Sequence, residues 1–167
     1  GCKEEEKPDG PYGIYLVQSI STAIPVDFTN SGEQTTEHFD NFSWCGTGEF
    51  SLEWRLNKQI SVMDFRTFIF FDGVNEITKE KEIFKGCGLV SRIVSLNQNG
   101  DLELSFFGDE GIFSNNPKQI DHNFEVRKLE YFQDGKSIRM VTYQLVYDFF
   151  SKEYVKNEMT YQFTYVG

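Results

Sequence analysis

The dipeptide Asp134-Gly135 lies between two long runs of alternating character, and it constrains the fold of this chain more than any other feature. Asp-Gly at the centre of a two-residue hairpin loop supplies the positive φ that a type I′ turn requires. With the turn pinned there, the register follows. Glu130 falls opposite Arg139, Leu129 opposite Met140, Tyr131 opposite Ile138, Val126 opposite Tyr143, Phe124 opposite Leu145 and Ile120 opposite Phe149. In that register the apolar pairs near the turn lie on one face and those far from it on the other. The ribbon therefore changes sides near Lys128 and Val141, as a β-bulge or a sharp bend would make it do. His122 falls opposite Tyr147 on the apolar face, the setting of a hydrogen-bonded core or rim histidine rather than a general base.

The remaining segments read as strands as well. Val155, Met159, Tyr161, Phe163 and Tyr165 alternate with polar residues at the C-terminal end, and Phe50, Leu52, Trp54 and Leu56 do so earlier. Tyr12 to Gln18 predicts a first strand and Ile24 to Phe28 a short extended piece. A hairpin is expected between Thr36–Trp44 and Glu49–Leu56 around Cys45-Gly46-Thr47-Gly48, with Phe39 opposite Trp54. Phe65 to Phe71 is a nearly continuous apolar strand ended by Asp72-Gly73, and Cys87–Leu96 returns through Asn99-Gly100 to Leu102–Phe107. Residues 76–85 stay open between a short helix capped by Asn75 and an edge strand or loop. Residues 108–119 form a loop in which Ile112 and Phe113 are candidate contact residues. Seventeen Phe and eight Tyr favour pleated, half-buried surfaces. The fold expected is all-β, an antiparallel meander of about nine strands closing as a lipocalin-like barrel, with a two-layer β-sandwich as the alternative.

A net charge of −10 with acidic residues spread along the chain leaves no Lys/Arg patch, so no nucleic-acid partner is expected. No run of 18 apolar residues offers a spanning helix. Nucleophile, P-loop, dinucleotide and zinc-protease motifs are missing, and neither histidine belongs to one, so the chain is read as non-enzymatic and without a cofactor. Asp27, Thr29, Ser31 and Gly32 occupy the first, third, fifth and sixth positions of a calcium-loop spacing. The twelfth, however, is His38 instead of a bidentate Glu, which makes this segment a turn and leaves no metal expected.

Cys2, followed by Lys3, Glu4, Glu5, Glu6 and Lys7, resembles the mature start of bacterial lipoproteins. The charged residues resemble the export signal after the lipid cysteine in surface lipoproteins of Bacteroidetes-type bacteria. The resemblance implies diacylation of Cys2, since one acyl chain alone binds a bilayer only marginally. It also implies a flexible tether over 1–11, a single β domain over 12–167, and a location at the outer membrane of the cell envelope, facing outward. Pro25-Val-Asp-Phe-Thr-Asn-Ser-Gly ahead of Cys45 resembles a segment of small lipocalin-like lipoproteins. With Cys2 carrying lipid, Cys45 and Cys87 are left either as a disulfide or as two free thiols. The expected job is binding a small apolar ligand in the mouth of the barrel. The alternative is docking an envelope protein or glycan on a β-sandwich.

Overall fold

Nine strands form one antiparallel sheet in the computed structural model, which describes residues 10–40, 48–55, 60–99, 101–104 and 124–167. They are β1 (Gly13–Val26), β2 (Thr35–Glu37), β3 (Glu49–Arg55), β4 (Ile60–Val74), β5 (Lys81–Leu96), β6 (Leu102–Leu104), β7 (Phe124–Phe132), β8 (Ser137–Asp148) and β9 (Glu153–Tyr165). The order across the sheet is β6-β5-β4-β3-β1-β9-β8-β7, with β2 beside β1. Two meanders, β3 to β6 and β7 to β9, are thus joined through β1, and the sheet curls into a half-barrel that brings β6 near β7. The all-β expectation holds, and a single curled sheet is consistent with the lipocalin-like barrel.

One open choice is settled and three local expectations change. No helix forms over 76–85. Asn75 Oδ1 does accept from the N–H groups of Ile77 (2.9 Å) and Thr78 (3.2 Å), as a cap would. The chain then turns back as β5 because Phe84 stacks on Phe71 across the ladder, with ring centroids 5.8 Å apart. A Cβ on Gly73 would enter the Phe84 ring, so this pairing needs glycine there. First, β4 runs past Asp72-Gly73 to Val74. Second, β2 pairs with β1 instead of β3, Phe39 is 45% exposed in a 3-10 turn, and Trp54 pairs with Ser61 of β4. Both edges of β3 are already taken by β1 and β4, which leaves no ladder for residues 36–40. Third, the two N-terminal pieces are one 14-residue strand with a bulge between Val17 and Ser19. Asn157 holds its far end, since its amide donates to Ile24 O (2.9 Å) and accepts from Ile24 N (3.0 Å).

The β7–β8 hairpin keeps its expected register from Tyr131↔Ile138 to Lys128↔Val141 and then slips by one residue, so that Val126 faces Thr142 and Phe124 faces Gln144. Arg127 is the extra residue, and its guanidinium lies 4.0 Å from the Tyr143 ring centroid. The bulge lets Val126 and Leu129 both point inward despite their odd spacing. The side change belongs to β7 alone. On β8 the buried positions stay even-numbered from Ile138 to Asp148, so the interior accepts the polar Thr142 and Gln144. The expected pairs involving Ile120 and His122, the loop residues Ile112 and Phe113, and the turn at Cys45 lie outside the described residues.

The interior is aromatic. Phe163 stands 4.8 Å from Phe50 and 5.0 Å from Phe65, and Phe65 stands 5.1 Å from Tyr161. All four are essentially buried. Tyr161 OH donates to Gln144 Oε1 (2.9 Å), Thr142 Oγ1 donates to the same oxygen (2.7 Å), and Thr67 Oγ1 lies 2.9 Å from the phenol oxygen. Burial raises the Tyr161 pKa well above the ordinary phenol value, against the opposing pull of those hydrogen bonds, so the phenol stays neutral. This network joins β4, β8 and β9 across the barrel and satisfies the polar groups that the inward face of β8 buries.

Candidate functional site

β4 pairs with β3 only as far as Phe65. Beyond it, β4 and β5 continue as a two-stranded arm among the described residues, and the arm reaches over one end of the barrel. Between the arm and that end lies an open cleft of about 820 Å³. Asp72, Gly73 and Val74 of β4 and Lys81, Glu82 and Ile83 of β5 form one wall. Tyr147 of β8, Phe149 and Lys152 of the β8–β9 turn, and Asn30 of the β1–β2 loop form the other.

A chain of rings ties the arm to the barrel. Phe28 lies 5.4 Å from Phe70, Phe70 lies 6.5 Å from Phe149, and Tyr147 stands edge-on to both Phe149 (4.9 Å) and Tyr154 (5.1 Å). Lys85 Nζ sits 5.7 Å from the Phe149 centroid and donates to Phe28 O (3.3 Å). Tyr154 OH donates to Asp72 Oδ1 at 2.8 Å. Burial, together with that donation to a carboxylate, pushes the Tyr154 pKa up to about 12, so the proton stays in place at neutral pH.

Two buried carboxylates build the loop half of the cleft. Asp27 accepts from the backbone N–H groups of Thr29 (3.1 Å), Ser31 (3.0 Å) and Gly32 (2.8 Å), which closes the segment that resembled a calcium loop. Its oxygens are thereby occupied by donors, as a turn requires. Asp148 accepts from Asp27 N (2.9 Å), Gln34 Nε2 (2.7 Å) and Phe150 N (3.1 Å), and Phe149 N returns a bond to Asp27 O (2.9 Å). Burial alone would raise both carboxyl pKa values, but these donors outweigh it and hold each below the ordinary range. The cleft residues Asn30 and Lys152 both take the left-handed conformation, each with φ 59°, in the two turns fixed by these carboxylates. Asp148, Gln34 and Tyr154 were not singled out in the sequence. A lone Asp ending an apolar strand carries no motif, and only the fold places it against Asp27.

His38 backs the same corner. It is 1% exposed, its ring lies 4.3 Å from Phe28, and Nε2 is 3.0 Å from Thr22 Oγ1. Burial lowers its pKa to about 4, only partly offset by the Thr35 backbone. The unfolded chain, with histidine near 6.5, takes up a proton between pH 6.5 and 4 that the folded chain refuses, so stability falls as pH drops through that window. The loss is on the order of 2 kcal/mol once solvent screening is allowed for, and it lowers Tm by about 4–8 °C. Below pH 4, protonation of Asp27 and Asp148 adds to it. Thermal unfolding from pH 7.5 to 4 checks this. A His38→Gln variant is expected to flatten the upper part of the profile, and a wild-type Tm constant down to pH 4.5 contradicts it.

A second hollow, about 520 Å³, runs along the seam between β6 and β7 and is lined by Leu102, Leu104, Leu129 and Tyr131 with charged neighbours. Cys87 lies on the arm with an exposed side chain and is disulfide-bonded. Cys2 and Cys45 lie outside the described residues. Among the described residues no cluster of three His, Cys, Asp or Glu side chains is placed to hold a metal ion, and no helix is long and apolar enough to cross a membrane.

No protein-family model, curated protein or solved structure matches this chain.

Proposed function

We propose that this chain is an exported lipoprotein, anchored through lipid on Cys2 to the outer membrane of a bacterial cell envelope, whose β domain is a non-enzymatic binding module. The ligand is a small molecule with an apolar face, seated in the cleft at the mouth of the half-barrel. The cleft itself carries this reading. Its volume falls within the ~300–1,000 Å³ of ordinary ligand sites, its walls are preformed, and aromatic rings stand beside a few fixed polar groups. Farther inside, the packed rings of Phe50, Phe65 and Phe163 fill the interior, which favours the mouth as the ligand's seat. Carboxylates used as backbone caps, as Asp27 and Asp148 are, favour binding over acid–base chemistry. Among the described residues, neither histidine nor cysteine lines the cleft.

A second reading, an interaction module for an envelope protein, is favoured by the outer face of the arm, where Ile69 and Phe71 are 42% and 48% exposed. The anchor is tested by mass spectrometry of the protein isolated from its native envelope. An N-terminal peptide carrying diacylglycerol on Cys2 is expected, and an unmodified thiol there refutes the anchor.

A further inference from the structure

The cleft's lining says more about its ligand than that it has an apolar face. Resting on the reading of this cleft as a binding site, we propose that it takes the end of a saccharide chain, one or two pyranose rings packed on Tyr147 and Phe149. A pyranose presents an apolar face of C–H groups and a rim of hydroxyls, and each hydroxyl is both a donor and an acceptor. The cleft matches both parts. The Tyr147 and Phe149 rings meet nearly at right angles, 82° between planes, and form an apolar corner instead of a flat slot.

Around that corner stand an acceptor, Asp72, and donors, Lys81, Lys152 and the Asn30 amide. Glu82 is paired with Gly73 and lies on the outer face of the arm with Phe84. No ion pair joins either lysine to Asp72 among the described residues. Asp72 already accepts from Tyr154 OH at 2.8 Å through Oδ1. It is thus oriented through one oxygen while the other retains acceptor capacity. A wholly apolar ligand filling the cleft would strip water from three charged groups, Asp72, Lys81 and Lys152, and return no hydrogen bonds, a penalty of the kind that makes polar sites reject apolar analogues. An anionic ligand would meet Asp72, and a cationic one would meet the two lysines. A neutral polyol with an apolar face uses every group present.

The experiment is calorimetric titration of the full chain with soluble oligosaccharides of four to six residues, namely malto-, cello-, xylo- and chito-oligosaccharides, and with palmitate as an apolar probe. Saturable binding of at least one oligosaccharide is expected. It should weaken about tenfold or more in Tyr147→Ala and in Asp72→Asn. The Asn variant keeps an oxygen to accept from Tyr154, and thermal unfolding of both variants confirms the fold. Palmitate binding that Tyr147→Ala abolishes, with no saccharide bound, overturns the saccharide assignment and leaves the cleft as an apolar site. If neither kind of probe binds, both the assignment and the cleft reading fall. Saccharide binding unchanged in both variants places the site elsewhere and overturns the proposal.

Discussion

Replacing Asp148 by alanine is expected to destabilise the domain by about 3–5 kcal/mol, measured by urea denaturation at pH 7. The side chain is 1% exposed and accepts from Asp27 N, Gln34 Nε2 and Phe150 N, with Ser151 N at 3.4 Å as a weaker fourth. Alanine leaves those donors without an acceptor in a place that water reaches poorly. Each such group costs about 1–3 kcal/mol, reduced where the turn relaxes toward solvent. Asp148→Asn keeps one carbonyl oxygen and should recover roughly half of the loss, because its amide nitrogen cannot accept from the remaining donors. Both turns bearing cleft residues hang on this carboxylate, so the alanine variant should also blunt any ligand response. A loss below 1 kcal/mol would show that the turns hold themselves.

The other large effect is expected in the barrel. Phe163→Ala should cost about 3–5 kcal/mol, from lost burial plus the void left among Phe50, Phe65 and Tyr161. Phe71→Ala provides the contrast. Phe71 is 48% exposed and, among the described residues, stacks only on its cross-strand neighbour Phe84, so its loss should be about 1 kcal/mol or less. Equal costs for the two variants would mean that the arm is packed as firmly as the barrel interior. The contrast also bears on function, since an arm that is marginal by itself needs its contacts with Phe28, Phe149 and Tyr154 to keep the cleft in shape.

Period-two patterning and turn chemistry made much of this fold legible. Asp134-Gly135 set the register of β7 and β8 near the turn, and the conflict between its two apolar faces pointed to the bulge now found at Arg127. What patterning could not show was which strand would absorb the change. Thr142 and Gln144 look like surface residues in sequence, and they are buried because Tyr161 and Thr67 arrive from other strands to bond them. Residues 76–85 were ambiguous for a physical reason. Asn75 makes the cap bonds of a helix start, and only the long-range pairing of Phe84 with Phe71 decides for a strand. Likewise, β2 went to the wrong partner because local signals cannot reveal that β1 lies against β3.

The candidate site was less visible. Its lining comes from four separate stretches of chain, and no two of them form a motif. Asp27 drew notice for a calcium-like spacing whose real use is to close a turn. Tyr147 and Phe149 read as one apolar face of a hairpin, whereas the structure turns them toward the arm. Cys2, the residue on which the location reading rests, lies outside the described residues, and so the anchor and the cleft stand on independent grounds.

The most direct test of the cleft as a binding site is amide chemical-shift mapping of the isotope-labelled full chain against phenol, benzoate and methyl glucoside. Shifts are predicted to cluster at Asn30, Asp72 to Val74, Lys81 to Ile83 and Tyr147 to Lys152. Shifts centred on the interior residues Phe65 and Tyr161, on the β6–β7 seam, or scattered without a cluster would contradict it.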